Sequence, residues 1–146
     1  MSIVNPNVET ATFGITNLTQ TAVLTGADTI TDDTPANTVI IADTSVRGTL
    51  ISSLSAAPRA TVALTALHLF VSDDSGTTKR LIGSALMAAH TVATDTAIPI
   101  TPFLNTDGTL ISDAAPFRLG VGQELYVGAS VALAGGIVVT STRVDF

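Results

Sequence analysis

The segment 124–146 reads ELYVGASVALAGGIVVTSTRVDF, and it carries the clearest fold signal in the chain. Its residues alternate with a period of two on both sides of Gly135-Gly136, and two adjacent glycines can supply the positive φ angles of a type I′ turn. A hairpin turning there places every charge on one face. We therefore predict paired strands at 124–134 and 137–146, with a core face formed by Leu125, Val127, Ala129, Val131, Leu133, Val138, Thr140, Thr142, Val144 and Phe146.

Shorter β-prone runs, separated by turn residues, precede this segment. They predict strands at 20–25, 37–42, 47–54, 60–72, 77–87 and 98–101, with turns at 32–35, 73–76 and 107–108. The run 60–72 is apolar on both faces, which is typical of a central strand covered on both sides or of a strand covered by another subunit. Residues 81–94 are compatible with either a strand or a short helix.

Regularly spaced short strands indicate an all-β protein. We expect an antiparallel β-sandwich or a jelly-roll-like barrel in a single domain, residues 20–146. Residues 1–19 are polar and rich in Thr and Asn, and they are predicted to form an extended N-terminal arm. A frayed terminus is the alternative interpretation of that segment.

The composition of the 146 residues excludes several classes of protein. Charged residues make up 12%, with two Glu and one Lys, so the charged surface of a helical bundle cannot be built. There is no Cys, which removes disulfides and thiolate metal sites. The net charge of -6 argues against nucleic acid and anionic membranes as partners. The uncharged window 125–142 fits a hairpin better than a membrane span.

No pattern in the sequence predicts catalysis, a cofactor or a metal, and we expect no enzyme activity. His68 lies within an apolar run and is expected to be half-buried with its ring hydrogen-bonded, whereas His90 is expected to face solvent. The nucleophile elbow Gly-x-Ser-x-Gly is absent. Turn chemistry explains Asp73-Asp74-Ser75, although loop oxygens of this kind leave a Ca²⁺ site as a less favoured alternative.

Three stretches carry a resemblance to a known family. They are LHLFVSDD at 67–74 leading into TTKRLI at 77–82, GQELYVGAS at 122–130, and the closing VDF at 144–146. From residue 47 to 146 the chain resembles a family of small phage virion structural proteins encoded among head and tail genes. It departs from them before the late strand, where FRL at 117–119 replaces an aromatic position. The resemblance implies a structural role on the virion and supplies no catalytic residues.

We therefore expect a capsid decoration (cement) protein, made in the host cytoplasm and located on the capsid surface. Its expected partners are the major capsid protein and further copies of itself, as a homotrimer. The residues expected to mediate assembly are Ile3, Val4, Val8, Phe13, Leu67, Leu69 and Val71. The alternatives are a tail, neck or head-fibre component, and a carbohydrate-binding module, which would need exposed aromatic rings.

Overall fold

The computed structural model describes residues 16–30, 33–43, 45 and 47–146. Within these residues every regular element is a strand, and residues 81–87 belong to one of them, so the helical alternative for 81–94 is wrong. The strands are β1 Thr16–Leu24, β2 Val39–Ala42, β3 Thr49–Pro58, β4 Thr65–Ser72, β5 Arg80–Met87, β6 Thr101–Pro102, β7 Phe117–Leu119, β8 Glu124–Ala129 and β9 Ile137–Asp145.

Two antiparallel sheets pack face to face. Sheet I has the order β1-β9-β3-β6, with β7 also paired to β3, and sheet II has the order β2-β8-β4-β5. The predicted β-sandwich is confirmed, and the barrel alternative is wrong because the two sheets do not close on each other. The core between them is apolar and includes Leu24, Ile51, Leu54, Ile137 and Val139 from sheet I, and Ile41, Leu67, Leu69, Leu125 and Val127 from sheet II.

The predicted hairpin between β8 and β9 does not exist, because the two strands lie in different sheets. β8 pairs with β2 and β4, whereas β9 pairs with β1 and β3. The predicted core face of β8 is correct, since Leu125, Val127 and Ala129 are buried. Gly136 has a φ of 84°, but Gly135 is not among the residues of positive φ, so the turn is not of type I′. The chain there crosses from one sheet to the other.

The inner face of β9 is the opposite of the predicted one. Ile137 and Val139 are buried between the sheets, whereas Phe146, predicted to lie in the core, is 38% exposed. The assumed hairpin caused this error, because pairing β8 with β9 requires the inward faces of the two strands to match. A period of two shows which residues share a face but does not reveal the strand's partner.

Several strand boundaries also differ from the predictions. β1 begins at Thr16, where it pairs with Asp145, so residues 16–19 belong to sheet I. β4 begins at Thr65 rather than at residue 60, because Val62 instead forms an isolated bridge with His90. The predicted strand 98–101 is reduced to β6, which pairs with β3 on the side away from β9.

The loop between β1 and β2 covers part of the outer face of sheet II. The Asp28 amide donates to the carbonyl of Ala129 (2.8 Å), and the Lys79 amide donates to the carbonyl of Asp33 (2.6 Å). Phe70 on β4 points to this side and is fully buried. The expectation that the run 60–72 is covered on both faces is therefore confirmed for β4.

Candidate functional site

The predicted assembly residues of β4 are taken up by the interior of the sandwich. Leu67 and Leu69 are buried in the core, and Val71 packs against it. Leu67 and Leu69 are therefore closed off from a partner, which corrects that part of the prediction, whereas Val71 is partly buried and also lines a groove described below. The cause is that β4 is a central strand of sheet II, between β8 and β5. The other predicted assembly residues, Ile3, Val4, Val8 and Phe13, lie outside the described residues.

His68 and Asp28 form a buried pair on the outer side of sheet II. His68 Nδ1 lies 2.7 Å from Asp28 Oδ2, and the side chains are 9% and 1% exposed. The predicted hydrogen bond of the His68 ring is confirmed, and the side chain is more deeply buried than the half-burial expected. The pair fastens the β1–β2 loop to β4, and Gly128 leaves room for it, since a Cβ at Gly128 would lie 2.9 Å from the Cβ of Asp28.

Among the described residues, the surroundings of this pair do not complete a hydrogen-bonded Ser-His-Asp arrangement. Ser84 on β5 is the cross-strand neighbour of His68, which brings Ser, His and Asp to one face. No hydrogen bond joins Ser84 to His68 among those of the described residues. Neither residue lines either of the two grooves described below. A nucleophile needs a base within hydrogen-bond reach and a place for substrate.

His90 differs from its prediction. Its backbone exchanges two hydrogen bonds of 2.9 Å with Val62, in a bridge that extends the β4–β5 pairing. Its Nε2 is buried and has no hydrogen-bond partner in the described part of the chain. The expectation that His90 faces solvent is therefore wrong for the ring.

Side-chain oxygens of the turn between β4 and β5 form hydrogen bonds with other residues of the same turn. Asp74 Oδ1 accepts hydrogen bonds from the Thr78 amide (2.7 Å) and the Ser72 hydroxyl (2.8 Å), and these bonds lower the pKa of Asp74, the Thr78 amide contributing most. Ser75 and Gly76 both have positive φ, as a tight turn requires. The turn is thus confirmed.

In residues 16–30, 33–43, 45 and 47–146, no three His, Asp or Glu side chains come together as metal ligands.

A polar link between the two sheets was not predicted. Arg143 is buried on β9, and its Nη1 donates to Gln20 Oε1 (2.7 Å) and to the carbonyl of Ile41 (3.3 Å). Ser141 Oγ donates to the same carbonyl (2.9 Å), and the Asp145 carboxylate lies 3.3 Å from the Nε of Arg143. A register irregularity between Ile40 and Ala42 accompanies this contact on β2. The link joins β9 of sheet I to β2 of sheet II.

A second polar cluster lies on the outer face of sheet II. The Tyr126 hydroxyl donates to Glu124 Oε2 (2.6 Å), and Lys79 Nζ lies 4.7 Å from the centre of the Tyr126 ring. Burial raises the pKa of Tyr126, and the hydrogen bond to Glu124 raises it further. Gly76 packs against the hydroxyl. Both the hydroxyl and the ring of Tyr126, the one tyrosine of the chain, therefore contact residues of the same chain.

A groove of about 560 Å³ is lined in part by the apolar side chains of Val71, Ile82 and Phe117. Its polar rim is occupied by local hydrogen bonds. Asp107 accepts from the amide and hydroxyl of Thr109, and Asn105 Nδ2 donates to the carbonyl of Ala115. A second groove of about 350 Å³ lies beside Leu50 and Phe146. Neither groove holds a histidine or a pair of free carboxylates that could share acid and base roles.

The residues between β5 and β6, 88–100, form the most exposed segment of the described chain. Every residue from Thr91 to Ile100 is exposed, and the segment has no regular structure except the bridge at His90. Its exposed apolar side chains include Val92, Ile98 and Ile100. We call residues 88–100 the β5–β6 segment. The sequence analysis divided it between the run 81–94, strand or short helix, and a predicted strand at 98–101, and it did not identify the segment as an exposed surface.

The part of the chain that the structure describes contains no helix with the length and apolar character needed to cross a membrane.

Comparison with known proteins finds likeness only at the level of structure. No protein-family model matches the chain, and no curated protein sequence matches it. A structure of infectious bursal disease virus, Gt strain, matches at a TM-score of 0.29 and 13% identity, over 90% of this chain and 29% of that chain. A structure of T=1 particles derived from infectious bursal virus matches at a TM-score of 0.25 and 14% identity, over 89% and 40%. At these TM-scores the two matches say nothing about function.

Proposed function

We propose that this chain is a virion structural protein, a capsid decoration (cement) protein that binds the phage head through its surfaces and catalyses no reaction. The observation that carries the proposal is the β5–β6 segment. Ile100 is 70% exposed, and Val92 and Ile98 are also exposed. Exposed apolar patches mark interaction sites in soluble proteins, and Ile98 and Ile100 lie two residues apart in one exposed run. Asp95 is the one charged residue of this segment, so few charges would be desolvated on binding.

The neighbouring edge of sheet II adds to this surface. Among the described strands, β5 pairs only with β4, so its other edge is open. Its sequence RLIGSALM has a single charge, at Arg80, and no proline. Such an edge favours pairing with a strand from another chain, because neither charge nor proline blocks it. The capsid protein would supply that strand.

The aromatic residues support this proposal over a carbohydrate-binding module. Sugar rings stack on exposed aromatic faces, but Phe70, Phe103 and Phe117 are buried. Tyr126 is engaged by Glu124 and Lys79. Of the described aromatic residues, only Phe146 is more than a third exposed.

Binding to particles that lack this protein tests the proposal. Ile100→Asp places a charge on the β5–β6 segment, and Val121→Asp is a matched control, since Val121 is 68% exposed in the β7–β8 turn. We expect Ile100→Asp to weaken particle binding at least about tenfold, because a buried charge must be desolvated. Val121→Asp should bind like the wild type. Equal binding by the two variants would contradict the proposal.

Copy number distinguishes head from tail. A decoration protein should be present in a fixed ratio to the capsid protein, whereas a low copy number would favour a tail or neck component.

Deleting residues 1–15 tests the predicted arm, and the deletion stops there because β1 begins at Thr16. We expect this variant to keep its fold by circular dichroism and to bind particles more weakly. Undiminished binding would exclude a role for the arm.

A further inference from the structure

The outer face of sheet I is free of charge across three strands. In each strand alternate residues point away from the core, and the pairing of β1, β9 and β3 places them in rows. We call this surface the threonine face. It consists of Thr19, Thr21 and Val23 on β1, Val138, Thr140, Thr142 and Val144 on β9, and Leu50, Ser53, Ser55 and Ala57 on β3.

The charges of the described residues lie elsewhere. None of the described acidic residues is on the threonine face. Asp73 and Asp74, for example, are in the β4–β5 turn, and Asp145 on β9 lies on the other face of its strand, where it accepts a hydrogen bond from Thr49. Arg118 on β7 pairs with Leu50 on β3 and places one charge at a corner of the threonine face. With a net charge of -6, two copies repel each other wherever acidic surfaces meet. The threonine face is the side on which they can approach with the least repulsion.

We propose that the threonine face binds the same face of a second copy of this chain. Two β-sheets can pack face to face about 10 Å apart, with methyl groups interdigitating and hydroxyls exchanging hydrogen bonds. Such a contact is isologous and joins two copies. The inference goes beyond the proposed function, because it concerns self-association in the absence of a capsid. It departs from the homotrimer expected from the sequence, since a face-to-face contact of this kind joins two copies.

The size of the face sets the strength of this contact. Three strands about 4.8 Å apart, with rows about 6.8 Å apart along them, cover roughly 400 Å². A standard interface buries about 800 Å² on each partner. The face therefore supports at most a weak, reversible dimer, which should form only toward the upper end of the concentrations tested below.

Sedimentation velocity between about 0.01 and 1 mM tests the proposal, with the mass expected to rise toward that of a dimer. Thr142→Glu should weaken the dimer at least about tenfold, because two carboxylates would face each other. Thr142→Lys should weaken it too, although it lowers the net negative charge. Thr77→Glu, in the β4–β5 turn, is the matched control for net charge and should have no effect. Circular dichroism verifies that each variant is folded.

Each other outcome overturns the proposal. A monomer at every concentration, a trimer, or equal weakening by Thr77→Glu and Thr142→Glu would exclude face-to-face pairing. Self-association that appears only after deletion of residues 1–15 would show that the chain's own N-terminal segment covers the face. Particle binding by the Ile100→Asp and Val121→Asp variants is measured separately, so failure of the dimer leaves the test of the proposed function intact.

Discussion

Ser141 and Arg143 share one acceptor, the carbonyl oxygen of Ile41, at distances of 2.9 and 3.3 Å. Removing either donor leaves that carbonyl satisfied by the other, whereas removing both leaves a buried acceptor without a partner. We therefore predict that Ser141→Ala and Arg143→Met destabilise the protein by more together than the sum of their separate effects. Methionine keeps most of the apolar stem of arginine and removes its donors.

The magnitudes follow from the bonds involved. Ser141→Ala loses one neutral hydrogen bond, about 1 kcal/mol. Arg143→Met loses a charged bond to Gln20 Oε1 as well as the bond to Ile41, about 3 kcal/mol in all. The double variant adds the cost of the unpaired carbonyl, about 1–3 kcal/mol beyond the sum. For a chain of this length, Arg143→Met should lower Tm by roughly 10 °C.

Urea unfolding followed by circular dichroism measures these free energies, since the chain has no Trp and one Tyr. Thr142→Ala is a useful control, because Thr142 is exposed on the opposite face of the same strand. It should change the free energy of unfolding by no more than about 1 kcal/mol. Additive effects of Ser141→Ala and Arg143→Met would refute the shared-acceptor argument.

Three further changes test other contacts. Asp28→Ala removes the partner of buried His68 and should cost about 2–3 kcal/mol, with faster hydrogen exchange in the β1–β2 loop; unchanged exchange would contradict the fastening role. Gly76→Ala should cost about 1–3 kcal/mol by calorimetry, because φ is 81° and the new methyl meets the Tyr126 hydroxyl. The pKa of Asp74 is lowered on folding, so its stabilisation is present above the ordinary value of 3.8 and is lost as pH falls through the lowered pKa. Asp74→Asn should therefore flatten the acid side of the stability profile, and an unchanged acid limb would exclude this contribution.

Local chemistry accounts for what the sequence could predict. The alternation in β8 correctly assigned Leu125, Val127 and Ala129 to the core, and the Asp-Asp-Ser-Gly turn formed as its residue types require. Both signals depend only on neighbours along the chain. The burial of His68 followed from its apolar surroundings in the same way.

The choice of strand partner was beyond such signals. β8 and β9 are separated by a short turn, yet they belong to opposite sheets, and no residue within either strand encodes that choice alone. The error then carried over to the inner face of β9, because Ser141 and Arg143 look like surface residues until Ile41 supplies their acceptor. Leu67 and Leu69 were assigned to assembly for a related reason. The sequence pattern of an apolar strand is the same whether the strand is covered by its own fold or by a partner.

The central position of β9 in sheet I has a consequence for synthesis on the ribosome. β9 lies between β1 and β3, so both strands remain without this neighbour until residues 137–145 have been made. At 5–20 residues per second, the roughly 110 positions between β1 and β9 take about 5–25 seconds. During that time β1 and β3 expose edges that a neighbouring nascent chain could pair with. Closely spaced ribosomes on one mRNA therefore favour strand exchange between nascent copies. Slower translation initiation should raise the yield of correctly folded protein.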